Sequence, residues 1–357
     1  MKGDFQKMRK TQRGSILILS LWTLIFLSVL TVVFGSMARQ QILLAGKIEE
    51  RKELYDLTYS GILMMLDIVS SSRKRDLTPE ADSLNDFWAN DPALFGNVRL
   101  GRGVFMLKYK YMDNITDRKA FRFGVVDEER KINVNYADKD ILERLFAKTA
   151  GLDDIAASQL ADSVIDWRDP DDVFGSGGYG STETANYAES GYEYTPRNRC
   201  FSTLEELLLV DGMSSEIFLE VRDYITVFTN GRININTASI PVLASLGLSD
   251  SLAHKVVLFR SGPDMTEGTL DDNVFYSADI SEVLTGHYDL SDIETDELLR
   301  LSARGVLDTR SGTFNAVCTG KLDRGRGCGK VMCVFEKDDR IKYWGYRMQE
   351  GSGCDIL

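Results

Sequence analysis

An uninterrupted apolar segment close to the start of the chain constrains its fold more than any other feature. No charged residue occurs among the 24 residues from Ser15 to Ala38. At about 1.5 Å per helical residue, such a helix spans a hydrocarbon core of about 30 Å. The segment therefore predicts a transmembrane helix over residues 15–38.

A short basic segment precedes this helix. Its charged residues are Lys2, Asp4, Lys7, Arg9, Lys10 and Arg13. Because a basic flank normally stays in the cytoplasm, the residues after Ala38 are expected outside it. A cleaved secretory signal is the alternative, since Ser36-Met37-Ala38 could be a peptidase site. The apolar run is, however, longer than the roughly 7 to 15 residues of a signal core.

Beyond the membrane segment, the hydrophobic pattern predicts an α+β fold. Apolar residues recur at helical spacing as far as Val69, which extends the first helix to residues 15–72. Residues 103–111 and 121–126 are rich in β-branched and aromatic residues and predict strands. Further strands are predicted after residue 312, whereas the residues between are mainly helical in pattern. We therefore expect a sheet into which a large α-helical domain is inserted.

The inserted region contains an internal repeat. Lys131–Ala137 (KINVNYA) is repeated as Arg232–Ala238 (RININTA), at an offset of 101 residues. Each copy leads from an extended piece into a helix, which Asn135 or Thr237 is suited to cap. A third helical hairpin lies between them, around Gly212. The sequence therefore predicts helix-hairpin-helix units.

These units resemble those of competence DNA receptors, so a membrane-anchored DNA-binding receptor is an alternative function. Acidic residues lie at the hairpins, among them Asp153, Asp154, Asp211 and Glu216. The whole chain of 357 residues has a formal charge of −12. Because carboxylates repel phosphates, we favour a structural role for the repeats and expect no nucleic acid partner.

Between the first two hairpins lies a dense acidic cluster, from Asp166 to Asp172. Its four aspartates repel one another unless a cation or a base neutralises them. Hard oxygen ligands on a loop favour calcium, although the spacing does not fit an EF-hand. The pattern alone slightly favours a solvated loop, or one paired with Arg168. Trp167, within the cluster, is expected to be a core residue.

Five cysteines and two histidines limit the remaining chemistry. The cysteines are Cys200, Cys318, Cys328, Cys333 and Cys354. A disulfide within the group 318, 328 and 333 and reduced thiols are both compatible with the spacing. Zinc is disfavoured, because there is no CxxC pair and no nearby histidine. No hydrolase, P-loop or dinucleotide-binding motif occurs, so we expect no enzyme activity.

The junction Arg13-Gly14-Ser15, basic leader followed by an apolar helix, resembles the class III signal of type IV pilins and type II secretion pseudopilins. In that family a prepilin peptidase cleaves after the glycine, here Gly14, and methylates the new terminus, here Ser15. Most members have Glu at the fifth mature position, where this chain has Leu19. The family that habitually lacks this Glu is general secretion pathway protein K. In this chain, the segment DWRDxD, followed by YxPxN and a Leu-Glu-Glu-Leu helix, is also similar to the signature of that family.

The resemblance to that family implies the remaining expectations. The organisation would be a leader (1–14), a pilin-like α+β domain (39–127 and 308–357) and an inserted helical domain (128–307). The protein would initiate pseudopilus assembly and cap its tip, anchored in the inner membrane with its carboxyl-terminal part in the periplasm. Its partners would be other minor pseudopilins and the prepilin peptidase, with the outer-membrane channel or exported proteins as further candidates. The implied calcium ligands are Asp166, Asp169, Asp171, Asp172 and Glu183.

Overall fold

The computed structural model describes residues 12–72, 80–116, 118–171, 187, 191, 193–325 and 327–350. The chain forms two compact units, residues 1–56 and residues 57–357. The first helix, α1, runs from Gln12 to Ser72 and supplies all of the described residues of the first unit.

The described part of the first unit is one apolar helix. Residues 15–48 of α1 are exposed along all sides of the helix, including Leu19 with 67% of its surface exposed. The helix is long and apolar enough to cross a membrane, with a mean hydropathy of 2.7 in its most apolar window. An apolar surface of this extent is typical of a membrane span. The predicted long helix is confirmed, and it begins before Ser15.

The second unit is built on an antiparallel sheet of seven described strands. In space the order is β1-β2-β9-β10-β11, with β3 beside β2 and β4 beside β9. The strands are β1 (Val98–Leu100), β2 (Gly103–Met112), β3 (Lys119–Phe123), β4 (Val126–Asp127), β9 (Thr313–Leu322), β10 (Gly327–Glu336) and β11 (Ile341–Glu350). The predicted α+β sheet, begun before residue 128 and completed after residue 312, is confirmed.

Residues 57–72 of α1 pack on one face of this sheet. Ile62, Met65 and Val69 are fully buried in a core that they share with Phe105 and Phe335. Burial of such side chains contributes about 1.5–3 kcal/mol each. Of the apolar stripe predicted from the sequence, Ile62, Leu66 and Val69 face the sheet, whereas Tyr55 and Tyr59 are exposed.

Gly61 allows α1 to approach the sheet closely. A Cβ atom at this position would lie 2.5 Å from the Cys318 sulfur and 2.8 Å from the Phe105 ring. Both distances are shorter than a carbon atom tolerates, so only glycine fits without a shift of helix or sheet.

The residues between β4 and β9 are mainly helical. Among the described residues of unit two, the α-helices outside α1 are α2 (Pro92–Phe95), α3 (Lys139–Ala150), α4 (Asp154–Arg168), α5 (Ser215–Val221), α6 (Ile240–Ser245), α7 (Asp250–Arg260), α8 (Ser281–His287) and α9 (Asp292–Arg304). A 3₁₀ helix spans Leu204–Leu209, before α5. Two short parallel pairs tie the region together: β5 (Ile132–Asn133) with β6 (Ile225–Thr226), and β7 (Ile233–Asn234) with β8 (Leu307–Asp308).

The capping residues predicted for the repeats are wrong. Helix α3 is capped by Asp138, whose carboxylate accepts a hydrogen bond from the Ile141 amide, and α6 begins after Ser239. Both helices start later than predicted because Asn135 and Thr237 form longer-range hydrogen bonds. These bonds connect each repeat to a distant part of the chain.

The cysteines do not pair within their carboxyl-terminal cluster. Cys328 is disulfide-bonded, whereas Cys200, Cys318 and Cys333 have free thiols. The Cys318 and Cys333 side chains are buried under α1, which raises the pKa of both thiols, that of Cys333 to about 12. The possibility of a disulfide among residues 318, 328 and 333 is therefore excluded. Cys354 lies outside the described residues.

Candidate functional site

The predicted processing and tip-specific positions lie within the first turns of α1. Gly14 falls within the helix, and Ser15 and Leu19 follow on its exposed surface. The Leu19 side chain presents an apolar, exposed surface on this helix. The roles of these three residues stay predictions.

The internal repeat is reproduced in the hydrogen bonds of two asparagines. Asn135 donates to the Phe201 carbonyl (3.0 Å) and accepts from the Phe201 amide (2.7 Å). Asn236, 101 residues later, makes the same pair of bonds to Phe275, at 2.9 Å and 2.8 Å. Each side chain therefore replaces one strand of a sheet and attaches a distant segment to its repeat.

A pair of arginines extends this equivalence to the ends of α4 and α7. Arg168 donates to the carbonyls of Val134 and Ala137, and Arg260 donates to those of Ile235 and Ala238. The accepting residues again differ by 101 positions. Burial lowers the pKa of both guanidinium groups. The two arginines were not recognised from the sequence, because each lies at a different distance along the chain from its copy of the repeat.

The predicted calcium ligands are only partly brought together. Asp166 is buried on α4, Asp169 caps the end of that helix, and the exposed Asp171 follows it. Among the described residues, these carboxylates do not form a group of three with oxygens within 4.8 Å of one another. Asp172 and Glu183 lie outside the described residues. The oxygen donors suit calcium chemically, so an ion here would need ligands from those two positions.

The neighbourhood of this cluster is aromatic and ordered by hydrogen bonds. Trp167 is 3% exposed, which confirms it as a core residue, and its ring lies 6.0 Å from that of Tyr187 and 6.3 Å from that of Phe201. Asn198, in the predicted YxPxN segment, donates to the Asp171 carbonyl. Residues 171 and 198 are therefore held close to each other.

A second acidic group was not found from the sequence. Carboxylate oxygens of Asp264, Asp271 and Asp272 lie within 4.8 Å of one another in the loop after α7. Thr269 donates to Asp271 (2.7 Å), and burial raises the pKa of Asp272 to about 6. The residues are spread along the loop without a motif, which explains why reading the sequence did not select them.

The loop that carries this group also contributes to a buried ion pair beside the sheet. Glu267 pairs with Arg260, and both side chains are nearly inaccessible to solvent. The Glu267 backbone carbonyl accepts a bond from Arg122 of β3, while Asn114 donates to its carboxylate at 2.7 Å. Removal of the carboxylate would leave a buried charge without its partner.

Buried carboxyl groups occupy the junction of the sheet and the helical region. Asp127, at the end of β4, accepts hydrogen bonds from Ser311 (2.6 Å), Thr237 (2.5 Å) and Asn234 (3.2 Å). These donors belong to the second repeat and to the chain segment that leaves the helical region. The side chain of Thr237 therefore joins the repeat to the sheet.

Glu129 lies beside this group and lines a cavity of 550 Å³ together with Arg232 and Arg310. Its carboxylate accepts a bond from the Thr313 amide at 3.0 Å. Burial, and next the charge of Asp127, raise the pKa of Glu129 to about 9. Burial likewise raises the pKa of Asp127. The folded protein therefore holds a proton on this pair of carboxyl groups more tightly than the unfolded chain does.

Comparison with known proteins agrees with this architecture. Residues 122–230, about a third of the chain, match the family model of type II secretion system (T2SS) protein K. A chain in the crystal structure of the GspK-GspI-GspJ complex from the enterotoxigenic Escherichia coli type 2 secretion system is similar in fold. Its TM-score is 0.58 at 15% sequence identity, over 87% of this chain and 99% of that chain. No curated protein matches the sequence.

The chain shares the fold of this E. coli chain: an amino-terminal membrane-type helix, a helix-packed antiparallel sheet and a helical region between its strands. Residues 122–230 are therefore similar to the type II secretion system protein K family. The apolar helix α1 is long enough to cross a membrane.

Proposed function

We propose that this protein initiates assembly of the pseudopilus and caps its tip. The observation that carries the proposal is the apolar side chain of Leu19 on the membrane-type helix. In the pilin family, the Glu at this place pairs with the amino terminus of the neighbouring subunit. Leucine cannot form that ion pair, so it fits best in a subunit with no neighbour above it.

The helical region supports the same position. It lies between β4 and β9 and is attached to the sheet by the Asp127 network. A body of this size on a filament subunit would obstruct stacking of a further subunit. Both features therefore favour the end of a filament over its interior.

We further propose that the mature protein begins at Ser15. A prepilin peptidase would cleave after Gly14 and methylate Ser15, and the leader would remain in the cytoplasm with residues 39–357 in the periplasm. Mass spectrometry of the membrane-bound protein tests this point. A mature protein that begins at Arg39, or one that retains Met1, would contradict it.

The proposed partners are the other minor pseudopilins. The similar E. coli chain comes from a complex named for GspK, GspI and GspJ, which supports the same kind of assembly here. The outer-membrane channel and exported proteins are further candidates for the exposed helical region. Co-purification of the full chain with the two other minor pseudopilins from membranes should recover a complex, and its absence would remove the support for the tip assignment.

A Leu19→Glu variant tests the capping mechanism directly. Restoring a carboxylate should allow a further subunit to add above this one, so the variant is expected along filaments instead of only at their ends. Leu19→Gln is the matched control, because it is polar and uncharged. Immunogold labelling of sheared filaments gives the readout. Wild-type protein along the filament would contradict the proposal, whereas Leu19→Glu protein confined to the ends would show that the helical region alone obstructs stacking.

We also propose that the acidic segment after α4 binds calcium, through Asp166, Asp169, Asp171, Asp172 and Glu183. The support is the oxygen-rich donor set, its closure by Asn198 and the family resemblance. Calcium would neutralise aspartates that otherwise repel one another. The ion would then stabilise the segment between the first two hairpins.

Terbium is a suitable probe for this proposal, because Trp167 lies beside the predicted ligands and can sensitise its luminescence. The full chain should show terbium luminescence that calcium displaces, and Asp169→Asn should weaken it. Asp264→Asn, in the second acidic group, is the control and should leave the signal near Trp167 unchanged. Equal luminescence in wild type and Asp169→Asn would argue against these ligands.

For the repeats, we propose a scaffold role as helix-hairpin-helix units. Asp153 caps α4 through a bond from the Ala156 amide (2.8 Å). A carboxylate therefore occupies the place where a phosphate could bind a helix terminus. This arrangement disfavours the alternative of a DNA receptor. A DNA affinity that falls with added salt would reverse that conclusion.

A further inference from the structure

One face of the sheet is cationic, although the protein as a whole is acidic. Val331, Cys333 and Phe335 of β10 lie in the core under α1. Because side chains alternate along a strand, Lys330 and Met332 lie on the opposite face. The pairing register extends that face over β9 and β11 and, by alternation, over β2. We call its basic residues the cationic sheet face: Lys108, Lys110, Lys321, Lys330 and Arg347.

These cations lack the neutralisation that is common elsewhere in the protein. Within the part of the chain that the structure describes, none of the five forms an ion pair. By contrast, Arg99, on the neighbouring strand, is paired with Asp323 at 2.6 Å. All of the cationic sheet face is exposed except the half-buried Lys108. On a chain with a net charge of −12, this is a separate region of opposite sign.

The register makes the arrangement unfavourable for the isolated protein. Lys330 lies directly opposite Arg347 across the β10–β11 ladder. Like charges in this position destabilise a sheet. On the other side of Lys330 lies Thr319, which carries no compensating charge. A carboxylate supplied by a second molecule between Lys330 and Arg347 would remove the repulsion.

We propose that the cationic sheet face is a docking surface for a folded protein with an acidic surface. The face extends over about 14 Å from β2 to β11, since neighbouring strands lie about 4.8 Å apart. Thr319, beside Lys330, and Gly345, two positions before Arg347, have short side chains. Phe121 and Met332 are its only large exposed apolar side chains among the described residues, 48% and 36% exposed. A membrane surface would require more apolar area for insertion, so a protein partner fits better.

The experiment uses the full chain in nanodiscs of neutral lipid and a fluorescent decaglutamate peptide as a stand-in for the acidic surface. Binding should be measurable at low ionic strength and fall as salt is added, because exposed charges are screened. Lys330→Glu should weaken binding about fivefold or more, since each exposed charge pair contributes up to about 1 kcal/mol. The same variant should not lower the melting temperature, because the introduced carboxylate would face Arg347 favourably. Loss of binding without loss of stability separates docking from misfolding.

Lys148→Glu is the matched control. It changes the net charge equally, but at an exposed residue of α3 that pairs with Asp250. It should leave peptide binding unchanged. Equal binding by wild type and Lys330→Glu, or no binding by either, would overturn the proposal. Two further results would also overturn it. One is that the chain captures anionic phosphatidylglycerol vesicles, Lys330→Glu abolishes this capture, and the peptide does not bind. The other is a dimer in sedimentation that Lys330→Glu converts to a monomer.

Discussion

Replacement of Glu129 by glutamine should change the dependence of stability on pH. Glu129 lines the cavity at the junction of the sheet and the helical region, with its carboxylate oxygen bonded to the Thr313 amide. Burial and the neighbouring Asp127 raise its pKa from 4.5 to about 9. Glutamine has nearly the same shape, can still accept the amide bond and never ionises.

The sign follows from proton binding. Between pH 4.5 and about pH 9, the folded protein keeps a proton on Glu129 that the unfolded chain has released. Stability contributed by this residue is therefore full below the unfolded pKa and declines as the pH rises toward the folded pKa. The decline is about 1.4 kcal/mol per pH unit. Over two units it reaches about 3 kcal/mol as an upper bound.

The assay is urea unfolding of the full chain in neutral detergent, followed by tryptophan fluorescence. Trp88 reports on the sheet, because it is 1% exposed and its ring lies 4.9 Å from that of Phe314. Between about pH 5.5 and about pH 7.5, the free energy of unfolding should fall less in Glu129→Gln than in wild type. The exposed Glu282→Gln is the control and should follow wild type. A constant difference between Glu129→Gln and wild type over this range would refute a protonated Glu129.

Three further substitutions test the packing and the ion pairs by thermal or urea unfolding. Gly61→Ala should destabilise by about 1–3 kcal/mol because its Cβ meets the Cys318 sulfur, and Cys318→Ala in the same chain should recover part of the loss; no change would mean that α1 can move away from the sheet. Asp153→Ala should cost about 1 kcal/mol by removing the cap of α4, whereas Asp153→Ser should cost less. Glu267→Ala should cost about 3–5 kcal/mol by leaving Arg260 buried without its partner, and a loss below about 1 kcal/mol would show that water reaches the pair.

Local patterns in the sequence predicted the elements well. The apolar segment, the β-branched runs and the repeat indicated the long helix, the main strands and the equivalence of residues 131–137 and 232–238. The strands are longer than the local pattern, which covers residues 313–318 and 341–347: β9 continues to Leu322 and β11 to Glu350. Pairing with neighbouring strands extends regions of weak local preference. Such pairing is a tertiary effect that a single window does not contain.

The long-range polar contacts could not be predicted. Asn135 and Thr237 have side chains of the type that caps helices. Their hydrogen-bond partners, Phe201 and Asp127, however, lie 66 and 110 positions away in the chain. The roles of Arg168 and Arg260 in the repeat were hidden by unequal spacing. The two-residue strands β5 to β8 escaped detection because so short a strand has no periodicity. The predicted calcium ligands stay a prediction, with Asp172 and Glu183 outside the described residues.

Because α1 packs closely on the sheet, the reactivity of two cysteines measures how often the helix and the sheet separate. Cys318 and Cys333 are shielded from solvent beneath the helix, whereas Cys200 is exposed. An alkylating reagent should label Cys200 at once and reach the other two only when the helix separates from the strands. The ratio of labels in a membrane preparation therefore measures how often the helix detaches from the sheet, without any introduced probe.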